Sequence, residues 1–137
     1  MACPYFIPDV RRDDILWPHP ARLPLGAGFG GCCGAPQHAG ERPDDDHLRD
    51  HCNLGYARCS RLPADRAADS VRYAVALAGA ERLVVTYVFE REHAPGQCGH
   101  AEYDCREKNF SVPHPDPRIQ KQLECYVGEY LARQPRQ

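Results

Sequence analysis

Residues 70–92 read SVRYAVALAGAERLVVTYVFERE, and this stretch decides the fold class. Over 71–77, Val, Tyr, Val and Leu occupy the odd positions and Arg and Ala the even ones, which is the period-two pattern of a half-buried strand. Gly79 turns the chain, and 82–92 is apolar on both faces, as in a central strand that is covered on each side. The stretch therefore predicts two antiparallel strands of one sheet.

The chain that follows extends this sheet. After a predicted loop over 93–99, residues 101–105 and 110–112 favour a third strand and a short return strand beyond a polar turn. The sequence thus predicts a three- to four-stranded antiparallel meander over 70–112, within an α+β fold.

A helix is predicted to close the molecule over 116–133. Asp116 is suited to the N-cap position and Pro117 to the first helical position. Apolar residues then recur every three or four positions, so that one stripe of the helix covers one face of the sheet. By elimination, the N-terminal half is predicted to cover the opposite face.

The N-terminal half, residues 1–65, has the composition of irregular backbone. It holds five of the eight cysteines and most of the thirteen prolines. One short helix is predicted over about 45–52, with Gly55 as its stop signal. The glycine run 26–31 matches a dinucleotide-binding pattern, but no strand is predicted before it, and it is interpreted as a flexible loop. A metal bound by this half would supply the order that its backbone lacks.

Overall composition limits the function further. The 137 residues fit a single domain over 1–137, and the 42% hydrophobic content is typical of a globular protein. The net charge of −2 gives no attraction to nucleic acid. The start of the chain lacks the apolar run of a signal peptide or a membrane anchor, so a reducing cytoplasm is expected. There, eight cysteines favour metal ligation over disulfides, which remain the minority alternative.

Four thiols are the predicted ligands: Cys3, Cys33, Cys52 and Cys59, with Cys32 as the substitute for Cys33. Structural zinc sites usually draw two cysteines from one tight turn, and the sequence contains no such close pair. A cubane cluster instead offers four iron corners to ligands that arrive singly from distant loops. The pattern therefore predicts a 4Fe-4S iron–sulfur cluster, with zinc as the alternative.

Three sequence elements also carry a resemblance. They are the cysteine near the start, Leu-Pro-Leu-Gly at 23–26, and Cys-Asn-Leu-Gly-Tyr-Ala-Arg-Cys at 52–59. Together they resemble a group of small bacterial proteins without an assigned activity, over most of the first 65 residues and, loosely, the sheet. The resemblance implies no reaction or substrate. It implies Cys3, Cys33, Cys52 and Cys59 as recurring thiols and leaves Cys98, Cys105 and Cys125 outside the pattern.

Three functions follow from these patterns. A cluster protein would serve electron transfer or redox sensing with a redox partner, and a zinc module would stabilise a surface that binds another protein. His47 and His51, one helical turn apart and followed by Cys52, would allow a mixed nitrogen and sulfur zinc site, although a solvated polar face is the more frequent meaning of such a pattern. A cysteine-dependent enzyme is the second alternative, because Cys98 lies close to His100 in sequence.

Overall fold

The computed structural model describes residues 1–54 and 59–134 of the chain. The fold is α+β, with two antiparallel sheets and a C-terminal helix, so the predicted class is confirmed. No helix in the described residues is long and apolar enough to cross a membrane. In chain order the elements are β1 (Phe6–Arg11), a 3₁₀ turn (Pro20–Arg22), β2 (Phe29–Cys33), α1 (Asp45–His47), a π-helical turn (Leu48–Cys52), β3 (Ser70–Ala78), β4 (Arg82–Arg91), β5 (Ala94–Asp104), β6 (Asn109–Phe110) and α2 (Pro117–Arg133).

The larger sheet is the predicted meander, with four strands in the order β3-β4-β5-β6. Tyr73 of β3 lies opposite Tyr87 of β4, and Val85 of β4 lies opposite Ala101 of β5. Because side chains alternate along a strand, these odd-numbered residues share one face, which we call the inner face. Tyr73, Val85 and Ala101 are buried there.

The return strand is shorter than predicted. It comprises only Asn109–Phe110, whereas the sequence suggested 110–112. Ser111 still donates its amide to the carbonyl of Glu102 at 3.0 Å, and pairing ends there. Pro113 follows closely, and a proline has no amide proton to continue a ladder.

The loop predicted over 93–99 is wrong, because β5 begins at Ala94. The connection from β4 is a two-residue turn in which Glu92 and His93 have φ angles of 54° and 65°. Tight hairpin turns with two positive φ angles usually contain Asn or Gly, so this sequence gave no signal for one. The buried carboxylate of Asp69 accepts a hydrogen bond from the amide of Glu92 at 2.8 Å and stabilises the turn.

Helix α2 occupies the predicted range and covers part of the inner face. The Asp116 side chain accepts a hydrogen bond from a first-turn amide at 2.9 Å and caps the helix. The Tyr73 hydroxyl donates to Gln122 Oε1 at 2.8 Å, and the rings of Tyr73 and Tyr126 lie 5.6 Å apart. The contact with the sheet therefore centres on β3.

The outer face of the sheet is mostly open, so the prediction that the N-terminal half covers it is wrong. Arg72, Ala74 and His100 on this face are exposed, and Val84 and Val88 are only half-buried. The N-terminal strands instead join the same hydrophobic core as the inner face and α2. Alternation of apolar and polar residues identifies the two faces of a strand, but it does not show which part of the chain packs on each face.

The N-terminal half contains a hairpin that its composition did not predict. Strand β1 pairs antiparallel with β2, so irregular backbone is the wrong description for these two segments, including the end of the glycine run. A Cβ atom added to Gly31 would lie 2.0 Å from the carbonyl oxygen of Ile7. Glycine is required here because β1 passes too close for a side chain.

This close approach makes Gly31→Ala destabilising. We expect the free energy of unfolding to fall by about 2 kcal/mol, since the hairpin must shift to admit a methyl group. Urea unfolding would measure the change. Gly128→Ala in α2 is the matched control, because the added methyl group would meet no other atom within 4 Å. We expect this variant to be more stable by about 0.5–1 kcal/mol, since alanine favours a helix more than glycine does. Equal stability of Gly31→Ala and the native protein would contradict the hairpin.

The short helical segment predicted over 45–52 is present, although its second half is a π-helical turn. The Asp44 side chain accepts a hydrogen bond from the amide of His47 at 2.9 Å and caps it. Cys52 is the last residue of the segment. The predicted stop at Gly55 lies outside the described residues.

Candidate metal centre

Four cysteines line one small cavity in the N-terminal half: Cys3, Cys33, Cys52 and Cys59. They come from four separate places, which are the segment before β1, the end of β2, the end of the π-helical turn, and the segment that begins at residue 59. The cavity measures about 20 Å³, room for about one water molecule. Its wall is completed partly by the apolar side chains of Phe6, Ala35, Pro43 and Leu62.

The alternation of side chains along β2 shows which of Cys32 and Cys33 faces the cavity. In the β1–β2 hairpin Cys33 lies opposite Phe6, and Cys32 lies opposite Ile7. Phe6 is buried and lines the cavity, and Cys33 lines it as well. Because successive side chains point to opposite faces, Cys32 is directed away from the cavity.

Cys3 is held in place although it lies near the start of the chain, where residues are often mobile. Ala2 and Val71 exchange two backbone hydrogen bonds of 2.9 Å, which attach the segment to the edge of β3. The amide of Cys3 donates to the carbonyl of Cys52 at 3.1 Å. Two of the four cysteines are thus joined directly through the backbone.

Gln122 of α2 fixes the turn that follows Cys3. Its Nε2 donates to the carbonyl oxygens of Cys3 and Phe6, each at 2.8 Å, and its Oε1 accepts from the Tyr73 hydroxyl. The side chain is fully buried. Sequence analysis missed this role, although the signal was present: Gln122 lies within the apolar stripe of the helix, where a polar residue needs a buried partner.

Asn53 fixes Cys52 relative to β2. Its Oδ1 accepts from the Phe29 amide at 2.9 Å, and its Nδ2 donates to the carbonyls of Phe29 at 2.9 Å and Leu48 at 3.0 Å. The side chain is buried, so these three bonds replace water. They join the end of the helical segment, with Cys52, to the start of the strand that carries Cys33.

Burial keeps the thiols of Cys3 and Cys52 protonated. Burial raises the pKa of Cys3 to about 12 and also raises that of Cys52 well above its usual value. For both, neighbouring cysteines of the cavity raise the pKa further, because several thiolates close together repel each other. A bound cation would reverse this preference, since metals bind the thiolate form.

Backbone amides support two of the sulfurs. The amides of Tyr5 and Phe6 interact with Cys3 and lower its pKa, against the larger effect of burial. The Ala35 amide donates to Cys33 Sγ at 3.4 Å. Such donors to cysteine sulfur tune the reduction potential of a bound cluster.

A histidine completes the polar part of the site. His47 Nε2 lies 3.2 Å from Cys59 Sγ, and the His47 and His51 rings are 4.7 Å apart. Both imidazoles line the cavity, as the mixed zinc site predicted from sequence would require. Burial is the main reason that the pKa of His47 is lowered, which favours the neutral ring that binds metals. The same distance is within reach of a cysteine–histidine pair in an enzyme.

Arg61 lines the cavity and brings a positive charge to it. Its Nη1 is buried and has no hydrogen-bond partner among the described residues. A buried guanidinium N–H without an acceptor is destabilising, so its position favours an anionic occupant. A metal centre held by four thiolates is such an anion. Nothing in the sequence around Arg61 distinguished it from the other arginines.

The thiols do not form a preassembled ion site. Within residues 1–54 and 59–134, no group of three or more His, Cys, Asp or Glu side chains is arranged to hold a metal ion directly. A centre bound here would require the cysteine side chains to turn towards it, and a cluster would also require the small cavity to widen. The four thiols are gathered around a shared space rather than around a single point.

The remaining cysteines do not line the cavity. Cys98 is exposed on β5, two residues from the exposed His100. Cys105 packs against the core, and burial raises the pKa of Cys125 on α2 to about 11. These placements are those of surface or core thiols.

Comparisons with known proteins add no further constraint. The chain matches no family model, no curated protein and no solved structure.

Proposed function

We propose that this protein binds a 4Fe-4S iron–sulfur cluster through Cys3, Cys33, Cys52 and Cys59. The observation that carries the proposal is the placement of these four thiols, from four separate segments, around one cavity. Four cysteine thiolates are the usual ligands of such clusters, and a cube-shaped centre accepts them singly from different directions.

The surroundings of the thiols support this choice. The apolar wall limits access of water, and the amides that reach Cys3 and Cys33 would donate to the ligand sulfurs. The buried Nη1 of Arg61 would compensate part of the negative charge that four thiolates bring. When bound, the cluster supplies one-electron transfer, and the protein residues hold it, orient it and set its potential.

The position of the cavity suits electron transfer or redox sensing. Two of the four cysteines, Cys33 and Cys59, are only half-buried, so the centre would lie close to the protein surface. A redox partner could then approach it without a rearrangement of the core. No residue of the proposal performs bond-making chemistry, and the protein is proposed as a carrier or sensor of electrons.

Structural zinc is the second candidate. The cavity has room for about one ion without widening, and His47 adds a nitrogen donor beside Cys59. Zinc would hold the four segments together, and the biological activity would then be the binding of a partner protein by the surface.

One purified sample separates the two candidates. The protein would be expressed with iron and zinc present, purified without oxygen, and analysed for iron, sulfide and zinc together with its visible spectrum. We expect broad absorption near ~400 nm and about four irons per chain. A colourless protein with about one zinc would replace the first proposal by the second. A colourless protein without metal would contradict both.

A further inference from the structure

A second and larger cavity lies on the inner face of the sheet, beyond the part that α2 covers. It measures about 470 Å³, within the range of small-molecule binding sites. Helix α2 contacts the sheet around Tyr73, and further along β4 the rings of Tyr87 and Phe89 remain half-buried. We call this cavity the aromatic groove; its lining includes Tyr5, Tyr87, Phe89, Arg91, Cys98 and His114.

The groove has a wall of interlocking rings. Tyr87 packs edge-on against Phe89 at 5.8 Å between ring centroids and against His114 at 5.2 Å. Tyr5 also lines the groove, and the Arg118 guanidinium lies 4.6 Å from the centre of its ring. Mutual packing fixes the orientation of such rings, and partly exposed rings favour a flat apolar ligand.

Most charges in the groove are already paired. Asp116 accepts hydrogen bonds from Arg118 at 3.0 and 2.9 Å. The carboxylate of Glu90 is buried, with the guanidinium of Arg72 at 3.7 Å. Neither acid therefore leaves a free negative charge for a ligand.

Arg91 is the exception. It is exposed, lines the groove, and makes no side-chain hydrogen bond within the part of the chain that the structure describes. Its electrostatic neighbour is Asp69, whose carboxylate already accepts hydrogen bonds from Arg66 and from the amide of Glu92. The guanidinium of Arg91 thus keeps its donors for another acceptor, and carboxylates fit that fork well.

We propose that the aromatic groove binds a planar aromatic molecule that carries one carboxylate. Its ring would lie against Tyr87 and Phe89, and its carboxylate would pair with Arg91. The site does not depend on a metal, although Tyr5 lines both this groove and the cysteine cavity. A bound molecule would therefore lie one side chain away from the proposed metal centre.

Binding of 2-naphthoate to the full-length protein tests the proposal. We expect 2-naphthoate to release or absorb heat in calorimetry and to saturate as a single site per chain. Cyclohexanecarboxylate lacks the flat ring and 2-naphthalenemethanol lacks the charge, so each should bind about tenfold more weakly. Absence of binding heat at two temperatures with millimolar 2-naphthoate would overturn the site.

Two substitutions test the assigned contacts. Arg91→Gln should weaken 2-naphthoate binding about tenfold and leave 2-naphthalenemethanol unchanged, whereas Phe89→Leu should weaken both. Arg22→Gln, at another exposed arginine that does not line the groove, is the matched control. Unchanged naphthoate affinity in Arg91→Gln would overturn the carboxylate assignment. Circular dichroism would verify that each variant is folded.

Discussion

Cys52→Ala and Cys59→Ala are each expected to abolish metal binding. Iron should fall from about four atoms per chain to almost none, and the absorption near ~400 nm should disappear, because loss of one of four thiolates leaves one iron of the cubane without a protein ligand and open to solvent. Cys52 is buried at the end of a helical segment that Asn53 fixes to β2, so no other thiol can take its place there. Anaerobic metal analysis and visible spectroscopy would measure the loss.

Two cysteine variants control this experiment. Cys98→Ala removes an exposed thiol, and Cys32→Ala removes the neighbour of Cys33 that does not line the cavity. Both should retain the native metal content. Full metal content in both Cys52→Ala and Cys59→Ala would refute the ligand set. Loss of metal in Cys32→Ala would identify Cys32, instead of Cys33, as the ligand from β2.

Gln122→Met should lower the free energy of unfolding by about 3 kcal/mol. Methionine has a similar length, so packing is preserved, but the Phe6 carbonyl and the Tyr73 hydroxyl lose their Gln122 partner. The Cys3 carbonyl loses one of two hydrogen bonds and keeps the one from the Phe6 amide at 3.1 Å. Each group left without a hydrogen bond costs about 1–3 kcal/mol, and partial relaxation reduces the sum. Urea unfolding monitored by circular dichroism would measure the difference.

Gln120→Met is the matched control on the same helix. Gln120 is half-buried and its bonds to His114 and Glu124 lie nearer the surface, so we expect a loss below about 1 kcal/mol. Metal content adds a second readout, since the turn after Cys3 loses its support only in Gln122→Met. Equal stability of the two variants would show that the contacts of Gln122 with Cys3 and Phe6 carry no net stabilisation.

The sheet and the last helix could be predicted because local pattern and tertiary structure agree there. The alternation in β3, the apolar run of β4 and the Asp116 cap each express their environment within a few neighbouring residues. The pairing of β1 with β2 could not be predicted from the sequence, because the glycines that allow the two strands to approach closely look like loop residues when taken alone. The turn at Glu92–His93 was hidden for a related reason: Asp69, distant in sequence, stabilises it.

For the candidate site, sequence singled out the cysteines but not their surroundings. Residue type and the resemblance named Cys3, Cys33, Cys52 and Cys59, and the structure brings all four to one cavity. The unpartnered nitrogen of Arg61 depends on which atoms lie nearby in space, and one sequence does not contain that information. His47 could be predicted only in part. Its spacing from His51 suggested a metal ligand, but its contact with Cys59 is visible only in the structure.

The attachment of Cys3 to late parts of the chain has a consequence for biosynthesis. Val71 and Gln122, which hold the segment of Cys3, are translated 68 and 119 residues after Cys3. The thiols of Cys33, Cys52 and Cys59 are therefore presented to the cell before Cys3 has a fixed place among them. Completion of the proposed metal centre would then wait until α2 has docked, so a loaded centre would report that the C-terminal helix is correctly folded.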